Sequence, residues 1–133
     1  VSANLDLVRS IYADWERGDW SSAAWAHPDI EFVIAGGLEP GSWAGIPAMR
    51  QAWFTFLGAW EDLRTEAGEF RDLGDGCVLV LHRWTGHGWA SALPVQQMSA
   101  KSATLFQFRD SKVSRLVAYW DRDRGLADLG LEG

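Results

Sequence analysis

The chain is poor in cysteine, tyrosine, methionine and proline, with one, two, two and four of them in 133 residues. A lone Cys77 closes no internal disulfide, which excludes a disulfide-stapled scaffold and fits a reducing compartment. No segment approaches the roughly eighteen consecutive apolar residues of a membrane span, so no membrane partner is expected. The opening VSANLDLVRS lacks a basic stretch followed by an apolar one, so no secretory leader and a cytoplasmic location are expected. Twelve lysines and arginines stand against 18 aspartates and glutamates, a formal net charge of −6, with no basic cluster. Phosphate neutralisation supplies most nucleic-acid affinity, so nucleic acid is not an expected partner. Three histidines without close acidic or cysteine companions make no metal motif. The glycines of GDG (74–76) and GHG (86–88) lie in no strand–turn–helix setting, so neither is a nucleotide loop. No metal or cofactor is implied.

What the chain has in plenty is tryptophan, nine residues of it. Each indole buries a large apolar area and keeps one N–H that needs a partner. Two readings stay open: tryptophan as core filler, or as the wall of a pocket shaped for a flat apolar ligand. A chain of 133 residues can bury one sizeable core but not two, so a single domain over 1–133 is expected.

Periodicity orders the elements. Leu5, Val8, Tyr12 and Trp15, with Ile11 on the adjoining edge, form one face of an amphipathic helix that Gly18 ends. DWSSAAWA (19–26) suits a short second helix, HPD (27–29) breaks the chain, and Ile30 to Ala35 reads as a strand. GGLEPGSWAG (36–45) is a loop by composition. Pro47 opens a helix carrying Trp53, Phe56, Leu57 and Trp60 on one face. Strands follow over 63–73, 77–86, 102–108 and 113–121, joined by turns at GDG and RDSK (109–112), and RGLADLGL (124–131) closes as a helix. Helices first and antiparallel strands after predict an α+β domain with helices on one face of a curved sheet. The last strand is apolar on both sides, Leu116, Ala118 and Trp120 on one and Val113, Val117 and Tyr119 on the other. One side should cover the helices and any pocket. The other predicts a homodimer through the sheet.

Five segments in this order, YADWERGD (12–19), HPDIEF (27–32), GSWAGIPAMRQAW (41–53), FRDSKVSRLVAYWD (108–121) and LADLGL (126–131), resemble the nuclear transport factor 2-like superfamily in its SnoaL-like branch of polyketide cyclases and ketosteroid-isomerase-like proteins. The resemblance implies a cone-shaped curved antiparallel sheet wrapped around N-terminal helices (a cystatin-like α+β barrel), with an apolar cavity at one end. It does not imply one activity, since this fold hosts several. In the isomerases the cavity holds a carboxylate base, a tyrosine and a protonated aspartic acid. Those positions fall on Ile34, Ile11 (beside Tyr12) and Thr104, so none of the three groups is retained. Losing one oxyanion donor alone costs about 3 kcal/mol of transition-state stabilisation. The histidine and aspartate of SnoaL-type cyclases match Thr104 and Ala118. The Asp–Arg–Asp set of limonene-epoxide-hydrolase-like members matches Arg83 with Thr85 and Ala118, keeping only the arginine.

The expected ligand pocket therefore comprises Ile11, Trp15, Ile34, Trp43, Arg83, Thr104, Phe106, Ala118 and Trp120, with Trp43 in a lid-like loop. An inward Arg83 would need a partner, either a ligand carboxylate or enolate or an acid such as Asp14 or Glu31. His82 and His87 are the remaining inducible acids or bases, and His27 shapes a turn. Asp121 is expected to cap the closing helix rather than to catalyse, and Trp53 and Trp60 to sit in the core. The expected function is binding of an aromatic or polycyclic small molecule, with any chemistry cyclase- or isomerase-like but run without the usual catalytic groups. The alternative is a non-catalytic binding or interaction domain whose cavity is partly filled by its own tryptophans. An enzyme that uses His87 or Asp14 in a new arrangement is a third reading.

Overall fold

A computed structural model describes residues 3–19, 24–35, 41–58, 64–74, 76–86 and 98–131. The apolar face of the first segment becomes α1 (Ala3–Glu16), which buries Val8, Ile11, Tyr12 and Trp15. Gly18 ends it at φ +81°, a left-handed conformation that a side chain would disfavour. Pro47 lies in the first turn of α2 (Ile46–Gly58), where its missing N–H costs nothing. The short α3 (Arg122–Asp128) starts at Asp121, whose carboxylate accepts from the Asp123 N–H at 3.1 Å. The capping role read from sequence is observed, and both aspartates are exposed.

Six strands form one curved, unclosed sheet: β1 (Ala26–Ala35), β2 (Gly41–Ala44), β3 (Arg64–Gly74), β4 (Cys77–Gly86), β5 (Met98–Arg109) and β6 (Lys112–Tyr119). Their order is β2-β1-β6-β5-β4-β3. Every pair is antiparallel except β1–β6, a parallel pair whose connection runs through α2 and four strands. At the β5–β6 hairpin Asp110 and Ser111 take φ +55° and +64°, the paired left-handed residues of a tight two-residue turn.

Three local readings are corrected. The 36–45 segment, expected as loop, contains β2, which pairs with β1 through Trp43 opposite Phe32. Residues 24–25 form a turn and β1 starts at Ala26, ahead of the expected Ile30, with a register shift before Glu31 that absorbs the HPD break. Residues 20–23 of the expected second helix lie outside the described residues. Val113 packs in the inner core with Leu116, because a bulge between Gln107 and Phe108 shifts the register there.

The two apolar faces are buried separately. The inner one packs Val78 and Val80 of β4, Phe106 of β5 and Leu116 of β6 with the buried side chains of α1. The outer one gathers Leu79, Leu81, Ala103, Leu105, Val117 and Tyr119, and Leu126 of α3 packs on it. Its six strand residues are all 9% exposed or less within the chain itself. The closing helix thus packs on the β5 and β6 part of the outer face, whose apolar character is the reason to expect a second subunit. No helix among the described residues is long and apolar enough to cross a membrane.

Candidate functional site

Pairing registers place Ile34, Ala118, Thr104 and Val80 in one row across β1, β6, β5 and β4. Side chains opposite one another share a face, so the row runs along the inner surface. Ala118 is its smallest member, and a cleft opens over it. Ile34, Trp53, Trp84, Ala118, Tyr119 and Trp120 line that cleft, whose enclosed part is about 20 Å³. That is room for one water molecule, against the several hundred Å³ of a drug-sized pocket. Trp53 reaches the wall from α2, with its ring 6.0 Å from Trp84 and 5.4 Å from Trp15. Trp120 is placed by the end of β6, where the Ser102 hydroxyl donates to its carbonyl at 2.7 Å. Two residues on, Arg122 donates to the carbonyls of His82 and Ser102 at 2.9 and 3.3 Å.

Behind the cleft lies a buried polar group. His82 Nε2 is 2.7 Å from Thr104 Oγ1, and His82 Nδ1 is 3.0 Å from Thr65 Oγ1. His82 is 1% exposed, Thr65 3% and Thr104 4%, so this is a sealed Thr–His–Thr chain. Burial pushes the imidazole down to about 3, and the nearby Arg122 guanidinium pushes the same way. The ring is neutral at physiological pH, with one nitrogen donating and the other accepting. Tyr12 packs against it, ring centroids 5.5 Å apart, and its hydroxyl is buried without a hydrogen-bond partner among the described residues. Burial drives the Tyr12 phenol above its ordinary pKa, against a lowering by the neighbouring Thr104 hydroxyl, and Glu16 adds to the rise. Thr104 is thus close enough to act on Tyr12, yet its short contact is to His82 and the phenol is left unaligned. Tyr12 stays protonated, a fixed donor.

The expected site residues fall into five places. Ile34, Ala118 and Trp120 line the cleft. Ile11, Trp15 and Phe106 are buried in the inner core, Trp15 and Phe106 with rings 6.4 Å apart. Thr104 is in the polar chain. Trp43 is half-buried on the edge strand β2 rather than in a lid loop, with its ring against Phe32 and folded over Gly41, where a Cβ would come within 2.9 Å of it. Arg83 does not face the cavity: it is exposed, on the face opposite His82 and Trp84. The reason is a parity slip of one residue on a strand apolar on both sides. The simpler rule, that arginine seeks water, points the right way. Asp14 is paired with Arg17, and Glu31 with Arg115 at 2.9 Å, so neither serves Arg83. His27 accepts from the Asp29 N–H at 3.0 Å, a turn-shaping role. Trp60 and His87 lie outside the described residues.

Sequence reasoning missed Trp53 and Trp84 as cleft walls and Thr65 and Tyr12 as partners of His82. Trp84 follows from the same parity that turns His82 inward. Thr65, opposite Trp84 on β3, carried no signal of its own. Among the described residues no group of three or more histidine, cysteine or acidic side chains could hold a metal.

Comparison with known proteins bears on the fold and the family. Residues 8–116 match the family model of the SnoaL-like domain. An NTF2-like protein from Burkholderia thailandensis E264 superimposes with a TM-score of 0.79 at 18% identity over 100% of both chains. A candidate SnoaL-like polyketide cyclase from Jannaschia sp. CCS1 gives 0.75 at 18% identity over 96% of this chain and 89% of its own. TerC, co-crystallised with polyporic acid, gives 0.69 at 21% identity over 98% of both chains. No curated protein matches the chain by sequence. Identities this low speak for a shared three-dimensional frame, and the family match spans most of the chain. The chain belongs to the SnoaL-like domain family and has the NTF2-like α+β fold.

Proposed function

We propose that the chain binds a flat, apolar or aromatic small molecule in the cleft over Ala118. The observation that carries this reading is the convergence of three indoles, Trp53, Trp84 and Trp120, from three different elements around the smallest residue of the sheet row. Apolar walls with few polar groups nearby are the ordinary make-up of small-molecule sites. Support from kinship is general: TerC, of the same fold, was co-crystallised with polyporic acid. Any chemistry would be of the cyclase or isomerase kind. It would run without a carboxylate base, since the described cleft residues include none.

A second reading, a non-catalytic binding or interaction domain, is favoured by the small enclosed volume of about 20 Å³. Under it the tryptophans occupy the space that a ligand would take. Tryptophan fluorescence separates the two. Titration with polycyclic aromatic ketones should give saturable quenching that weakens in Trp120→Ala. A flat response across ketones of two to four rings would instead support the filled cleft.

A further inference from the structure

We propose that Trp53 sets the size limit of the cleft: with its indole in place the site takes a flat apolar ligand of two fused rings and excludes a third. This deepens, and rests on, the reading of the cleft given above. The enclosed part holds about 20 Å³, and with the open mouth included the cleft holds about 300 Å³. Sites for drug-sized ligands begin at roughly 300 Å³ and enclose most of the ligand. A two-ring ligand therefore fits lying in the mouth against the indoles, and a longer one meets a wall.

The six lining residues are not held equally. Ile34, Ala118 and Tyr119 lie on β1 and β6, strands paired on both sides. Trp84 stands on β4 between Thr65 and Ala100 and is 5% exposed. Trp120 follows β6 directly, its carbonyl held by the Ser102 hydroxyl, and Arg122 ties the next turn to β4 and β5. Trp53 alone among them comes from a helix, and it is half-buried. α2 packs mainly on β1 and β2, at one edge of the sheet, and β4 lies three strands beyond β1. The indole spans that gap, with its ring 5.8 Å from Phe32 of β1 and 6.0 Å from Trp84 of β4. Two residues on, the Thr55 hydroxyl donates to the Gln51 carbonyl at 2.9 Å, a back-bond of the kind that bends and weakens a helix. The least anchored wall is thus the one that closes the cleft.

Shortening residue 53 would join the cleft to the space in front of Trp15 and Phe32, both 5% exposed or less and both in ring contact with Trp53. The walls of the enlarged site would again be aromatic rings. An apolar cavity of that kind stays dry and remains open to an apolar ligand. Where nothing blocks them, larger apolar ligands bury more surface and bind more tightly. A preference for the smaller of two such ligands is therefore the mark of a steric wall.

Equilibrium dialysis with 2-acetylnaphthalene and 2-acetylphenanthrene, which differ by one fused ring, tests the limit on wild type, Trp53→Ala, Trp53→Phe and Phe54→Ala. Wild type should bind the two-ring probe about tenfold more tightly than the three-ring probe. Trp53→Ala should reverse that order. Trp53→Phe, which keeps a ring against Trp15 and Phe32 and so guards against loss of the fold, should narrow it. Phe54→Ala, on the exposed side of the same helix, should leave it unchanged. Equal or tighter binding of the three-ring probe to wild type, or an unchanged order in both Trp53 variants, would overturn the size limit while leaving the cleft reading intact. If neither probe binds any of the four proteins, the cleft reading fails, and this inference with it.

Discussion

Tyr12→Phe is expected to stabilise the protein, the reverse of the usual loss when a buried tyrosine gives up its hydroxyl. In most proteins that hydroxyl is hydrogen-bonded, and its removal costs about 1 kcal/mol. Here it is buried on a residue only 1% exposed and has no partner among the described residues, so folding strips its water without return. An unsatisfied buried polar group costs about 1–3 kcal/mol. Phenylalanine keeps the ring, and with it the contacts to Trp15, Phe70, His82 and Phe106 at 4.9 to 6.0 Å between centroids. The net gain should be about 1 kcal/mol, which for a chain of this size raises Tm by about 3–5 °C. Urea unfolding measures it, with the midpoint rising and the slope unchanged. A double-mutant cycle with Thr104→Val should give a coupling near zero. A loss of about 1 kcal/mol in Tyr12→Phe, with a matching coupling to Thr104, would refute the reasoning, because it would mean that the two hydroxyls are bonded.

Other expectations follow from single contacts. His82 is pushed down to about 3 when folded, from 6.5 in the unfolded chain, so the unfolded chain takes up a proton first. Its contribution is complete above about pH 6.5 and is lost as pH falls towards about 3, at no more than about 1.4 kcal/mol per pH unit. The imidazole proton resonances of His82 should therefore not titrate above about pH 5 in the folded protein; a midpoint near 6 would contradict its burial. Asp121→Ala removes the cap of α3 and should cost about 1 kcal/mol in urea unfolding, with ligand affinity unchanged. Gly125→Ala would bring a Cβ within 2.8 Å of Tyr119 Cγ on the outer face. Alanine's better helix propensity is worth about 1 kcal/mol, and the overlap about 1–3 kcal/mol, so the melting temperature should fall.

The helices and most strands were legible in sequence because each carries one clear physical signal. Four apolar residues at helical spacing made α1, the left-handed Asp110–Ser111 pair suits the turn read at RDSK, and Asp121 stood where a cap was wanted. β2 was hidden because Gly41 and its neighbours look like loop, and only the pairing of Trp43 with Phe32 makes them a strand. The inward strand face was legible on β5 and β6 and not on β4. Thr104, Phe106 and Ala118 were placed on the inner face, as found, whereas CVLVLHRW offers apolar residues to both faces and its parity was read one residue out. That slip put Arg83 where His82 belongs. It also concealed the Thr65–His82–Thr104 chain, since partners on three strands meet only when all three registers are known. The closing helix shows the same limit: its short sequence gave no sign that Leu126 would join the apolar cluster on the outer sheet face.

The most direct test of the binding account is to fill the cleft from its floor. Ala118 is half-buried at the centre of the lining, and Ala118→Leu would occupy the space between Ile34 and Thr104. Titration of wild type and this variant with 2-acetylnaphthalene, followed by calorimetry, should show saturable binding in wild type that weakens at least about tenfold in Ala118→Leu, a loss of about 1.4 kcal/mol or more. The variant should fold as stably as wild type or better, since the added side chain fills open apolar space. Equal affinity in the two proteins would place the ligand elsewhere and contradict the account.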